Sequence, residues 1–418
     1  MRAVHRMLRK FLGESGIARK DFLVVFILLM NVLGWYYMTL TMMNSVLGSF
    51  SATPEEKLVV LAAFYVTAVG SGIVGAVLSN RVDRLKFLYI WIISGVVTST
   101  LPALFSSFEV TNALVLSVFL GASFGFGMPS CLAYYAESTI TENRGRIGGV
   151  ILLITNLLAP ILVAPFGILG LTLNSIIMAL WRGTGLVIFF LKPGERFVSE
   201  KRDASFSSII SNRSFLLYFI AWFMFSLLDK FEKMMIDHFL ANSMPGLLNV
   251  MSIIEPVVAS LFILIAGLLC DWNGRKKIIL SGFVALGVAY AIIGLAPLSV
   301  ISWYLYFIVD GFAWGIFLLT FVLILWGDLS QPGTREKYYA IGSIPFFLSS
   351  VIPQFLTESF VEQISLSAAF SLASFFLFVA VMPLVFAPET LPEKKMELRR
   401  LRSFADEARK AKEKYERK

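Results

Sequence analysis

Gly267-Leu268-Leu269-Cys270-Asp271-Trp272-Asn273-Gly274-Arg275-Lys276-Lys277 closes one long apolar run, begun near Leu247, and a second run starts at Ile278. An acid, a glycine and three cations are therefore packed into a very short connection between two membrane-length helices. Gly274 suits a tight turn that needs positive φ. Arg275, Lys276 and Lys277 place the loop on the cytoplasmic side by the positive-inside rule. Asp271, at a helix end, can pair with these cations or with the positive end of a neighbouring helix.

The chain around this loop is built the same way. Its 418 residues are 57% hydrophobic and the mean hydropathy is +0.77, which excludes a soluble domain. Apolar runs long enough to span a bilayer recur throughout. They predict twelve spans, near 22–47, 58–79, 87–106, 112–136, 147–168, 171–191, 214–240, 247–270, 278–297, 302–326, 339–356 and 366–387. The first is too long for a signal-peptide core and lacks a small-residue cleavage site, so it stays as a helix. The two cysteines, Cys131 and Cys270, and the two histidines, His5 and His238, suggest neither a disulfide nor a metal site.

The net charge of +8 is topological and points to no nucleic acid. All 36 Lys and Arg except Lys57, Arg182, Lys230 and Lys233 fall in the termini and in five alternate connections. That asymmetry puts both termini in the cytoplasm and requires an even number of spans. An internal repeat supports the count. Phe22-Leu23 recurs as Phe215-Leu216, Asn80 to Lys86 aligns with Asp271 to Lys277, and Gly121 and Gly125 recur as Gly311 and Gly315. Glu137 and Arg144 recur as Asp328 and Arg335, all at an offset of about 190–195 residues. The expected fold is thus an all-α membrane protein with two pseudo-symmetric six-helix bundles. Its parts are a basic N-terminus (1–21), a first bundle (22–191), a linker (192–213), a second bundle (214–390) and a charged tail (391–418). The tail carries a Leu401, Phe404, Ala408, Ala411, Tyr415 stripe at helical spacing, read as a lipid-touching cytoplasmic helix or as a solvated one.

Glycine, three residues, Asp271, two residues and Gly274-Arg275-Lys276-Lys277 together resemble the signature loop of the major facilitator superfamily. The resemblance extends over about residues 20–392. The first copy departs from the pattern, with Asn80 in place of the acid and Asp83 where the turn glycine is expected. Pro388 to Pro392 is similar to the end of the sugar-porter branch. Ala159 to Ala164 is loosely similar to an antiporter pattern, so no branch is selected. The resemblance implies alternating access, with helices 1, 4, 7 and 10 around a central cavity. It also implies a cytoplasmic gate formed by Gly267, Asp271, Gly274, Arg275, Lys276, Asn80, Arg81, Arg84, Glu137, Arg144, Asp328, Arg335 and Glu389.

Charges inside spans are expensive and mark pathways. Span 7 carries Asp229, Lys230, Glu232, Lys233 and Asp237, where i, i+4 spacing allows an Asp229–Lys233–Asp237 ladder. Glu255 and Asp310 lie at similar depth in spans 8 and 10 and are candidate partners for Lys230. Arg182, near the middle of span 6, belongs to the pathway set or packs and snorkels. Asn31, Trp35, Tyr36 and Tyr37 offer amide, indole and hydroxyl groups from span 1. Acids outnumber cations here, and an unpaired carboxylate in a low-dielectric setting takes up a proton instead. The expected function is secondary active transport of a small polar or charged solute, coupled to protons, by a monomer in the plasma membrane. The chain shows no nucleotide loop, cofactor motif or catalytic constellation. Two alternatives stay open: an exporter of hydrophobic compounds, favoured by the Phe- and Met-rich spans, and a transporter-like receptor or scaffold.

Overall fold

The computed structural model describes residues 17–105, 107–191, 204–351 and 363–392. Residues 1–16, most of the linker (192–203), Pro353 and the tail beyond 392 lie outside the described residues. Eleven described helices are long and apolar enough to cross a membrane. In the first bundle these are α1 (Arg19–Gly48), α2 (Pro54–Leu78) and α3 (Arg84–Thr100). They are followed by α4 (Val110–Ser138), α5 (Arg144–Val163) and α6 (Leu171–Thr184), whose span runs on to Phe190 through a short helix, Val187–Phe190. The second bundle has α7 (Arg213–Ser243), α8 (Pro245–Asn273), α9 (Arg275–Leu295) and α10 (Val300–Phe317). α11 starts as Arg335–Gly342 and continues, after Ser343, as Ile344–Ser349; α12 is Leu366–Phe386. α11 is the expected span that appears in pieces, and Pro345 sits in the first turn of its second piece, where a missing N–H is tolerated.

Local chemistry sets the boundaries. Thr53 and Glu56 form a reciprocal capping box in front of α2, with Pro54 at its first position. Asn212 caps α7, Ser299 caps α10 and Ser365 caps α12. Asp83 accepts the Lys86 N–H at 2.9 Å and caps α3. The missing glycine of the first signature loop is therefore a different turn, since φ at Asp83 is −56°. Gly274 keeps the expected positive φ of 94°, and a side chain there would collide with the Glu389 carboxylate. Part of the expected linker is ordered as a short helix, Phe206–Ile210. α10 passes into a π-helical stretch, Leu318–Ile324, before a last α-turn, Leu325–Leu329. Such bulges recur where a helix serves a site.

Among the contacts that join the halves are α5 on α8 and α2 on α11, with α4 also meeting the start of α11. Exchanging the halves turns the first of these pairs into the second, as a pseudo-two-fold requires. Within the first bundle, α2 lies directly on α4 because glycine lets the backbones meet. A Cβ at Gly121 would strike the Phe64 carbonyl, and one at Gly125 the Ala68 carbonyl and the Ser71 hydroxyl. We expect Gly125→Ala to destabilise the protein by about 1–3 kcal/mol, read as a lower melting temperature in detergent. Gly246→Ala, which enters open space, should leave that temperature unchanged.

Candidate functional site

Two connected lobes of one cavity lie between the bundles. The larger, of about 790 Å³, is walled by aromatic rings from both halves, among them Tyr36, Tyr65, Phe124, Trp222, Phe346 and Phe347. Trp222 stacks on Phe321 at 4.7 Å and 11°, and Tyr36 meets Phe124 at 4.8 Å. The second lobe, of about 640 Å³, is lined by Asp229, Glu232, Glu255, Tyr306 and Asp310, with Asn156 and Pro160 opposite. Tyr37, Leu40, Asn44, Lys230, Lys233 and Trp314 border both lobes. Charge thus comes from the second bundle, while the first contributes rings, hydroxyls and amides.

The charges do not pair as a simple ladder. Lys230 binds Asp229 at 3.0 Å, and the Trp314 indole N–H donates to the other Asp229 oxygen at 2.8 Å. The Lys230 ammonium also lies 5.4 Å from the Trp314 ring centroid. Lys233 binds Asp237 at 2.5 Å, and both side chains are 48% exposed. That exposure puts the mouth of the cavity at the α1–α2 and α7–α8 end. The Asp229–Lys233 contact expected from spacing is therefore replaced, because α10 brings Trp314 to Asp229 and holds it toward Lys230. Glu232 and Asp310 are buried, and Glu232 Oε1 and Asp310 Oδ1 have no hydrogen-bond partner. Tyr306 lines the same lobe as Glu232. Among the described residues of this lobe, four carboxylates (Asp229, Glu232, Glu255, Asp310) stand with two ammonium groups.

Three residues expected in the pathway lie elsewhere. Arg182 is fully buried inside the first bundle, with its guanidinium carbon 4.2 Å from the Trp91 ring and 5.0 Å from that of Trp35. It donates to Asn31 Oδ1 at 2.7 Å, and Asn31 donates in turn to the Trp181 carbonyl at 2.7 Å. Trp35 donates to Ser99 at 2.8 Å. Asn31, Trp35 and Arg182 line neither lobe; indole faces, with no carboxylate, hold this arginine. Conversely, Tyr65, Phe124, Trp222, Tyr306 and the Phe346-Phe347 pair were not anticipated. Trp222 lies two turns before Asp229 and Tyr306 one turn before Asp310, so helical spacing carried a signal for both.

The loop side is closed by two related sets of buried charges. In the first, Arg275 binds Asp328 at 3.1 Å and Asp271 at 3.2 Å, and Arg144 of the other bundle binds the same Asp328. Asp271 also accepts the Gly145 and Arg146 N–H groups at 2.9 and 2.8 Å, capping α5 across the interface. Gly145 and Gly267 leave no room for a side chain between α5 and α8. Glu389 accepts the Arg275 and Lys276 N–H groups at 2.8 and 3.2 Å, which caps α9, and Lys276 reaches the Val385 carbonyl. In the second set Arg84 binds Glu137 and Glu336, with Arg335 3.7 Å from Glu137. Asn80 is half-buried and Arg81 exposed. Glu336 falls where the repeat has Gly145, and Asn80 where it has Asp271. An acid on α11, across the interface, thus stands in for the one that the first signature loop lacks.

Residues 200–401 match the family model described as Sugar (and other) transporter. No curated protein matches the chain. Among solved structures, the chain is similar to the human organic anion transporter MFSD10 (TETRAN), with 16% identity and a TM-score of 0.66 over 88% of this chain and 99% of that one. It is also similar to the MFS (major facilitator superfamily) proton:xylose symporter XylE bound to 6-bromo-6-deoxy-D-glucose. There the identity is 13% and the TM-score 0.63, over 89% of this chain and 96% of that one.

The relocated acid can be tested directly. Glu336→Gln removes one charge-assisted bond from Arg84, worth about 1.5–3 kcal/mol. The share of molecules with the loop side open should rise at least about tenfold. Spin labels at Val82→Cys and Lys277→Cys would show this as a gain of longer distances. Adding Asn80→Asp to Glu336→Gln should restore the short distance; a distribution that neither change moves would remove Glu336 from the closure.

Proposed function

We propose, from the major facilitator superfamily fold that this chain carries, that it is a proton-coupled secondary transporter of a small polar or charged solute. The matched family and fold are those of membrane transporters. The observation that carries the proposal is the pairing of two features. The cavity holds buried carboxylates in excess of its ammonium groups, and its floor is sealed by ion pairs that join the two bundles. Solute enters from the open end, the bundles rock, and the sealed pairs separate to release it. One similar structure is a proton:xylose symporter and another an organic anion transporter, which supports transport of a small organic solute.

Within that cycle Asp310 serves the coupling by passing the proton on to the carboxylates beside it. It is buried, one of its oxygens has no bonding partner, and Glu232, Glu255 and Asp229 lie around it with Lys230 and Lys233. Motion of Lys230 relative to α10 changes how its charge is balanced. The protein is taken to act as a lipid-embedded monomer in the plasma membrane, with both termini and the Gly274 loop cytoplasmic. The aromatic lobe is the one feature that favours the alternative of an exporter of apolar compounds.

Two outcomes follow. Asn273→Cys, exposed at the loop, should react with an impermeant maleimide only from the cytoplasmic face; labelling from outside would reverse the topology. In liposomes, Asp310→Asn should abolish accumulation driven by a pH gradient, for a solute that stabilises the purified protein, while leaving solute exchange intact. Undiminished gradient-driven uptake would leave Asp310 a structural residue only, and binding without any flux would favour a receptor.

A further inference from the structure

The two lobes differ in the chemistry that they offer, and this specifies the solute that the transport reading leaves open. Among the described residues, Lys230 and Lys233 are the only charged ones on the wall of the aromatic lobe. A cation placed there meets two like charges, whereas an anion meets two opposite ones. The lobe is large enough for an aryl or medium-chain alkyl body, within the usual range for small-molecule pockets. An ionised head on such a body reaches the junction of the lobes, where Lys230 stands.

Lys230 has three N–H donors, and one acceptor, Asp229, binds it. On the far side of that pair is the acidic lobe. Lining this lobe with Asp229 are Tyr37 on α1, Lys230, Glu232 and Lys233 on α7, Glu255 on α8, and Tyr306, Asp310 and Trp314 on α10. Tyr65 on α2 lies near Lys230. Lys233 is already engaged by Asp237. An anionic head that takes Lys230 away from Asp229 therefore leaves a carboxylate held by one indole N–H, amid three other carboxylates. A single proton from the open end of the cavity restores the balance, since the anion adds one negative charge and the proton one positive. No other bond is made or broken.

We propose that the substrate is an amphipathic organic monoanion, with its head on Lys230 and its apolar body in the aromatic lobe, and that it binds together with one proton held by the Asp229 carboxylate group. Anion and proton are coupled because both act on the same ion pair. The inference rests on the transport reading, but its test on the purified full-length chain separates the two.

The probes are 4-phenylbutyrate and octanoate, with D-xylose, benzyltrimethylammonium and succinate for comparison. Binding is read by quenching of tryptophan fluorescence, because Trp222, Trp314 and Trp326 line the aromatic lobe. Proton uptake is read with a pH dye in weak buffer. The two monoanions should quench saturably, bind more tightly as the pH falls, and take up about one proton each. Lys230→Met should weaken them at least about tenfold, while Lys230→Arg retains binding. Asp229→Asn should bind them without proton uptake. The proposal fails if neither monoanion binds, if D-xylose, succinate or the cation binds better, or if Lys230→Met binds both anions unchanged. Accumulation of D-xylose or of the cation by liposomes would overturn the substrate class and leave transport standing. Lys230-dependent anion binding with no flux would overturn transport and leave the site standing.

Discussion

Arg275 has no contact with solvent, and its charge is balanced by Asp328 and Asp271 beneath the interface of two helix bundles. A buried guanidinium without its acids is strongly disfavoured, by about 3–5 kcal/mol when one partner is removed. The same Asp328 is held from the other bundle by Arg144. Separating the bundles on this side therefore breaks several pairs together and requires each freed charge to be rehydrated. The glycine contacts of α5 with α8 bring the backbones close enough for Asp271 to bond the first N–H groups of α5 directly.

That closure also accounts for the cavity above it. With the loop side sealed, the second lobe keeps carboxylates away from water on one side and opens past Lys233 and Asp237 on the other. The bundles divide the work. The first presents Tyr36, Tyr37, Tyr65 and Phe124, and its own buried cation, Arg182, is enclosed by tryptophans within the bundle. The second presents the titratable groups on α7, α8 and α10, and the π-helical turn of α10 places Leu318 and Phe321 on the cavity wall.

Much of this was legible before any coordinates. Hydropathy carried the membrane-length helices, and the repeat gave two halves. The reading of Asp271 as a partner for a neighbouring helix N-terminus followed from its place at a helix end. What escaped depends on contacts between elements. Spacing along α7 favours Asp229 with Lys233, but Trp314 arrives from α10 and the pairing shifts to Lys230. Arg182 stayed open between a pathway charge and a packed one, because its indole partners lie on other helices. Asp83 looked like a defect in a motif, yet it caps α3. Glu336 was invisible because its meaning comes from Arg84, on the opposite bundle.

Hydrogen–deuterium exchange of the wild-type chain in lipid nanodiscs, with and without 4-phenylbutyrate at mildly acidic pH, tests the central claim most directly. Rocking of the bundles about a sealed loop side predicts reciprocal changes in one sample. Amides near 140–147 and 328–337 should exchange faster, while those near 44–54 and 240–248 become protected. Changes of the same sign at both ends, or none at the loop side, would contradict a mechanism in which the buried ion pairs open as the outer mouth closes.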